Sequence, residues 1–481
     1  MRGLRTRKPP PRERDVGGWA TAQFDRRELM EMIGPDVVDD ATVHLVVDLA
    51  LRIGEAQLAG GAGAADITAT MLAITEAYGL PQCEVDVIFT SITVCCRRGV
   101  EASPVTTTRV VRFRSLDYTR LAALDQLVLR IVRRTLTAGQ AYGELDTLLT
   151  GERPYPRWVA TVAWAAMAAS LAVLFGAGFG LFEADSKFFG AGFGLAAVAA
   201  AVTALVDRIG RVLNRRSLPF FFQQVVGAGV VTTVSVGLYG LLPPELSPAL
   251  VLAAGLTVLL SGLSVVGSAQ DAITGFYVTA AGRTFEVAMM TTGLVVGVVL
   301  ALQIGDSVGA DITPPVLRAP DLNDLTYQVP AAALTATFFA LACYGPPRAL
   351  LGAGLGGMTS FTVYGLASVT AMGPTAASAL GAIVVGFVGR VVSRRLKLPP
   401  LVMAVAGIAP LLPGLTTYRG VLELTVHNNP AGVLTLLSAA SIGLALAAGV
   451  VLGEFLASPV RKGLSHLERR RAGPRLAGPL E

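Results

Sequence analysis

From Arg157 to Leu456 the chain is almost continuously apolar, interrupted only by short polar breaks. A stretch of that length cannot form one soluble core, because soluble domains carry far more charge. It calls for helices that cross a membrane, each needing about 20 apolar residues. The whole chain is 53% hydrophobic and only 15% charged, with a mean hydropathy of +0.59. Charge is concentrated before the apolar region. The sequence is therefore expected to give a basic disordered tail (1–35), an α+β domain (36–156) and a helical polytopic membrane domain, followed by a basic tail (458–481).

The α+β domain is read from periodicity. Helical spacing runs from Val37 to Ala59, with Val43, Val46, Val47, Ala50 and Leu51 on one face. Asp66 is expected to cap a second helix ending at Tyr78, before Gly79 and Pro81. Cys83 to Cys96 alternates and is β-branched, so it reads as one or two strands, and Val105 to Phe113 as another. Asp117 is placed to cap a helix to about Thr137, and a last helix covers Tyr142 to Leu149. The basic segment before Gly34 lacks the apolar core of a signal peptide.

About ten membrane spans fit the apolar region. Basic residues orient them. "DRIGRVLNRRSLP", Ser268–Glu286, "GPPR" and "RVVSRRLKLP" form one set of loops, which the positive-inside rule assigns to the cytosol together with the α+β domain. The opposite set includes a long loop at 307–328 that carries Asp311, Asp321 and Asp324 against Arg318.

Sliding the chain by 152 positions lays Pro248–Asp271 over Pro400–Glu423. Pro248/Pro400, Gly255/Gly407, Leu259/Leu411, Leu260/Leu412 and Gly262/Gly414 coincide, and Asp271 falls on Glu423. Both segments are the fourth span of a five-span half, at 157–306 and 329–457. An odd number of spans inverts the second half. The expected architecture is therefore ten transmembrane helices as 5+5 inverted repeats, with helices broken at "LLSGL" and "LLPGL". Paired interrupted helices of this kind are how secondary transporters build a polar site at membrane depth.

The candidate site follows from the polar groups near those breaks. Gln270 and Asp271 come after the first, marked by Gly262. Pro413 and Gly414 form the second, followed by Tyr418, Arg419 and Glu423. An ionisable side chain in a span is a functional candidate by default, with an interfacial or ion-paired role as the plainer reading. Asp271 is suited to bind a proton or an ammonium, and its plainer alternatives are a cap or a pair with Arg283. Arg419 is suited to a carboxylate, and its alternative is a Tyr418–Arg419 interfacial anchor. Arg283 and Glu286 stand three apart on a helix, which predicts a mutual ion pair. Gln223, Gln224 and Gln303 are expected to hydrogen-bond between helices.

Other chemistries find little support. Cysteines at 83, 95, 96 and 343 fit no metal spacing and suggest no disulfide framework, and the three histidines are far apart. "GAGFGLF", "GAGFGL" and "GAGLGG" lack the strand and Lys-Ser/Thr of a phosphate loop and read as close-packing faces. No cofactor, no metal and no nucleic-acid partner is expected. Lipids are the expected surroundings, and a homo-oligomer is left open. A channel or facilitator for small amino acids or other small metabolites would share the fold.

Along both domains the chain resembles the threonine/serine exporter family of bacterial inner-membrane proteins. The resemblance rests on "YGL" and "VDVIFTSITV" (Tyr78–Val94), "LPFFFQQVVG" (Leu218–Gly227), "LLSGLSVVGSAQDAITGFYVTAAGRTFE" (Leu259–Glu286), "IAPLLPGLTTYRG" (Ile408–Gly420) and "AAGVVLGE" (Ala447–Glu454). Ala272 stands where the family pattern leads one to expect glycine. The resemblance implies export of L-threonine and L-serine, driven by the proton-motive force, with ten spans and a cytosolic amino-terminal domain. A zwitterionic substrate would need an anion for its ammonium, for which Asp271 is placed, and donors for its carboxylate, from Arg419 or amides at the breaks. Competition between proton and ammonium for Asp271 would give antiport.

Overall fold

The computed structural model describes residues 39–97, 103–114, 116–177, 186–238, 248–260, 262–307, 322–370, 372–396, 398–425 and 428–457. The expected basic tails and most of the 307–328 loop lie outside them.

The first unit builds a three-stranded antiparallel sheet between helices. Asp39 caps α1 (Asp40–Ala59), its carboxylate accepting from the Thr42 N–H at 2.6 Å. Then come α2 (Ala64–Ala77), β1 (Cys83–Ile88), β2 (Ser91–Cys96), β3 (Val105–Val110), α3 (Tyr118–Val132) and α4 (Ala138–Thr150). The sheet order is β1-β2-β3. Its inner face, with Val85, Val87, Ile92 and Val94, is buried with Leu49, Ile53, Ile67, Met71, Leu124 and Leu127 of the helices. Strand alternation and helical periodicity converge on one apolar core, as the sequence pattern requires.

Two local expectations are corrected. Asp66 does not cap α2: the cap is Gly63, and Asp66 sits in the first turn. Gly63 has no side chain to offer, and the carboxylate that serves this helix end comes from the other unit, as described below. Cys83 and Cys96 are joined by a disulfide, where spacing suggested none. Register is the reason, since the β1–β2 hairpin sets these two residues directly opposite each other.

Asp117 caps α3 as expected, accepting from the Arg120 N–H at 2.9 Å. An Asp117→Ala variant is expected to lose about 1 kcal/mol of stability, read as a lowered unfolding midpoint of the purified protein. An unchanged midpoint would show the cap to be dispensable.

The second unit is all helical. Its helices are α5 (Arg157–Ala172, continued by a π turn, Val173–Ala177), α6 (Ser186–Arg215), α7 (Phe220–Gly237), α8 (Ala249–Leu259), α9 (Gly262–Ile273), α10 (Tyr277–Ser307), α11 (Leu325–Ala342), α12 (Pro347–Val369), α13 (Pro374–Leu396), α14 (Pro400–Ile408, continued by a 3₁₀ turn, Ala409–Leu411), α15 (Gly414–Thr425) and α16 (Ala431–Leu456). Among the described residues eight helices are long and apolar enough to cross a membrane, or up to ten if α8–α9 and α14–α15 each count as one bent span. Small residues let them approach closely: Gly356 of "GAGLGG" lies against Gly407, and Gly357 against Ala332 and Ala336.

The two bends are alike. Leu260 (φ −66°, ψ 130°) and Leu412 (φ −60°, ψ 135°) both leave the helix for extended backbone. The chain turns by 48° at the first break and 43° at the second. The broken helices also meet: a β-carbon at Gly414 would lie 2.7 Å from Thr257 Cβ and 2.9 Å from Thr257 Cα, so only glycine allows this crossing.

The first unit is seated on one side of the helices. Tyr118 and Thr119 donate backbone N–H groups to the carbonyls of Cys343 (2.9 Å) and Tyr344 (3.2 Å). The β1–β2 turn presents Val87 O and Phe89 N–H to the Thr279 hydroxyl, at 2.8 and 3.1 Å. Phe89 also packs on Gly282, where a β-carbon would come within 2.9 Å of its ring. Tyr118 is fully buried at this contact, and burial holds its phenol well above its ordinary pKa. Of the contacted segments, 270–286 falls in one of the loops that the basic residues assign to the cytosol, and 343–344 directly precedes another, "GPPR".

Candidate functional site

Between the two units opens a cavity of about 820 Å³. Phe89, Arg112 and Arg114 of the sheet unit and Arg157 of α5 line it. Residues of α6, α7 and α10 line it too, as do Val258, Leu259 and Ser264, which flank the first break. The sheet unit and the broken span thus share the lining of one vestibule.

The wall is polar at chosen points. Leu260 leaves the helix, so the last carbonyls of α8 lack their usual partners. Gln224 of α7 supplies one, donating Nε2–H to Leu259 O at 3.3 Å. Its own Oε1 is buried without a partner among the described residues, and so is the Thr203 hydroxyl of α6. Both side chains line the vestibule. Also on the cavity lining, the Asp207 carboxylate accepts from the Thr161 hydroxyl (2.7 Å) and from Arg211 Nη2 (2.8 Å). Sequence reading passed over these three, because Asp207 and Arg211 sit in a stretch that the positive-inside rule already explained. The available signal was the (i, i+4) spacing of a carboxylate and a guanidinium on one face.

Asp271 lies behind this wall. Its side chain is 0% exposed and forms an ion pair with Arg283 (2.8 Å), which is 4% exposed. The Asp271 carboxylate also accepts from the Ala64 N–H at 2.7 Å, at the positive end of α2. Arg283 donates to Ala62 O at 3.0 Å and reaches the vestibule, which Asp271 does not line. Gln270 donates to Asp66 at 3.4 Å. The predicted Arg283–Glu286 pair is not formed: Glu286 pairs with Arg114 at 2.7 Å. The sequence rule saw one helix, whereas each partner has a better one on another element.

The remaining predicted residues fall elsewhere. Gly262 opens α9. Pro413, Gly414, Tyr418, Arg419 and Glu423 do not line the vestibule. Tyr418 is no interfacial anchor: it is fully buried in an apolar cluster with Leu252, Leu256 and Leu294. Arg419 is half-buried, and Glu423 accepts from the Thr435 hydroxyl at 2.7 Å. Gln223 bonds within its own segment, to Leu218 O, and Gln303 is exposed. The structure therefore gathers Gln270, Asp271 and Arg283 at the junction and sets Gln224 and Glu286 on the vestibule wall. The groups at the second break stand apart.

Two family models match the chain in succession. One, described as "Putative threonine/serine exporter", covers residues 48–305. The other, "Threonine/Serine exporter, ThrE", covers 328–456. The chain is 40% identical to a "Probable threonine/serine exporter" of Mycobacterium tuberculosis, over 89% of this chain and 80% of that protein. It is 34% identical to a "Threonine/serine exporter" of Corynebacterium glutamicum, over 89% of this chain and 85% of the relative. No solved structure matches.

Proposed function

Because the chain belongs to the threonine/serine exporter family, we propose that it exports L-threonine and L-serine across the bacterial plasma membrane in exchange for protons. The observation that carries this reading is the vestibule, which is lined both by the sheet unit and by a helix break and holds buried polar atoms with no partner among the described residues. The sheet unit is then cytosolic, and the vestibule is the inward-facing entry.

The helical halves are read as inverted repeats. Supporting this are the like breaks at Leu260 and Leu412, the packing of Gly414 on Thr257, and the separation of the two family matches between residues 305 and 328. Each break would open a path from its own side, with the second served by Pro413, Gly414, Tyr418, Arg419 and Glu423.

The substrate is a zwitterion. Its carboxylate finds Arg283 and Arg211 on the vestibule wall, and its ammonium finds the Gln224 carbonyl oxygen at the break. Asp271 is the carboxylate assigned to coupling. It lies behind the vestibule wall and reaches the path through its partner Arg283, and it holds either that cation or a proton. A proton on Asp271 releases Arg283 and so unmakes the site for the substrate carboxylate, and this exclusion between proton and substrate makes the exchange an antiport.

Counterflow of labelled threonine and serine in proteoliposomes tests the substrate, and an imposed pH gradient tests the coupling. Both amino acids are expected to exchange and to accumulate against their gradient when the pH gradient is present. Flux indifferent to that gradient would make the protein a facilitator, and absence of exchange would overturn the substrate assignment.

A further inference from the structure

Threonine and serine in a helix ordinarily turn the hydroxyl back onto the carbonyl four residues earlier. Thr232, Thr257 and Thr335 do so here, at 2.8, 2.7 and 2.9 Å. Thr203 does not. It is 4% exposed, lines the vestibule, and is the one buried serine or threonine of the spanning helices whose hydroxyl has no partner among the described residues. A buried hydroxyl left without a partner is costly, so a group that arrives in the vestibule and pairs with it is favoured.

The other such group in the vestibule is Gln224 Oε1, on a side chain that is also 4% exposed. Helices α6 and α7 run antiparallel, and a β-carbon at Gly227 would lie 3.3 Å from Val206. Thr203 is one turn beyond that contact in one direction and Gln224 one turn in the other. At 1.5 Å per residue they are about 9 Å apart along the helix axes. A β-hydroxy amino acid carries its ammonium and its hydroxyl on adjacent carbons, one group for each of these two vestibule oxygens.

We propose that Thr203 is the specificity-determining residue of the transport path, pairing with the β-hydroxyl of the substrate while Gln224 Oε1 accepts from its ammonium. The proposal rests on the exporter reading and adds to it the group that tells threonine from valine. Those two amino acids have the same shape and differ by a methyl for a hydroxyl. An apolar pocket discriminates poorly between such isosteres, whereas a site with a buried polar group to satisfy discriminates strongly.

The test measures counterflow of labelled threonine and labelled valine in proteoliposomes. For wild type the threonine rate is expected to exceed the valine rate. Thr203→Val keeps the volume of the side chain and is expected to lower the threonine-to-valine ratio by about 10-fold or more. Thr203→Ala is expected to lower it as well, and Thr203→Ser, which restores a hydroxyl, to retain the preference. A Thr203→Val or Thr203→Ala protein with the wild-type ratio would overturn the assignment. A wild-type protein that moves neither amino acid would instead overturn the exporter reading, and this assignment with it; wild type alone distinguishes that case.

Discussion

An Asp271→Asn protein is expected to lose pH-driven threonine export and to unfold at a markedly lower temperature. Asparagine keeps an oxygen for the Ala64 N–H but brings no charge, so Arg283 is left as a buried cation without its counter-ion. Removing one partner of a buried ion pair costs about 3–5 kcal/mol. That is a large share of the 5–15 kcal/mol by which proteins are stable. The stability loss alone does not separate a structural carboxylate from a functional one; the double variant Asp271→Asn/Arg283→Gln removes the stranded charge and so tests whether the pair as a unit serves only stability. With no stranded charge, it is expected to recover most of the unfolding midpoint while export stays absent. A double variant that exports at the wild-type rate under a pH gradient would reduce the pair to a structural clasp. An Asp271→Asn protein with full coupled export would sink the antiport scheme.

Gly414→Val is expected to prevent assembly of the helical unit. Atoms in contact sit about 3.5–4.0 Å apart, and any β-carbon at Gly414 would lie within 3 Å of Thr257 carbon atoms on α8. The obstacle is partly backbone, so no rotamer change relieves it, and α8 and α15 would have to separate. Overpacking a tight core costs about 1–3 kcal/mol and occasionally more. Gly414→Ala is accordingly expected to lower the unfolding midpoint and export together, and Gly414→Val to yield no monodisperse protein in detergent. Adding Thr257→Gly to Gly414→Ala removes one of the colliding groups and is expected to restore part of the loss. Gly194→Ala, with nothing within 4 Å of the added carbon, is the control and is expected to behave as wild type. Stability of Gly414→Ala equal to that of the control would mean that the two breaks do not need to touch.

Much of the fold was legible because membrane burial and secondary structure are written in local patterns. Apolar run length marked the helices, and alternation marked β1 to β3. Asp117 before an amphipathic stretch marked the start of α3. The glycine and proline interruptions located both bends, and Gln224 was singled out as an uncharged polar group in an apolar helix. Pairings were less legible. Arg283 and Glu286 looked like partners because helical spacing is the one neighbourhood that a sequence displays. Their true partners, Asp271 and Arg114, come from other elements and win because a short buried or half-buried pair outweighs an exposed (i, i+3) contact.

By itself, then, the sequence determined which segments leave water, where their helices break and which family the chain resembles. These depend on the chemistry of neighbouring residues and survive any arrangement in space. Only the tertiary structure decided what each polar group faces. It turned Asp271 toward the end of α2 and away from the vestibule, set the first break on that vestibule's lining, and left the Thr203 and Gln224 oxygens there without a partner among the described residues. Whether a buried polar atom is satisfied depends on elements far away in the chain, and no local pattern records them.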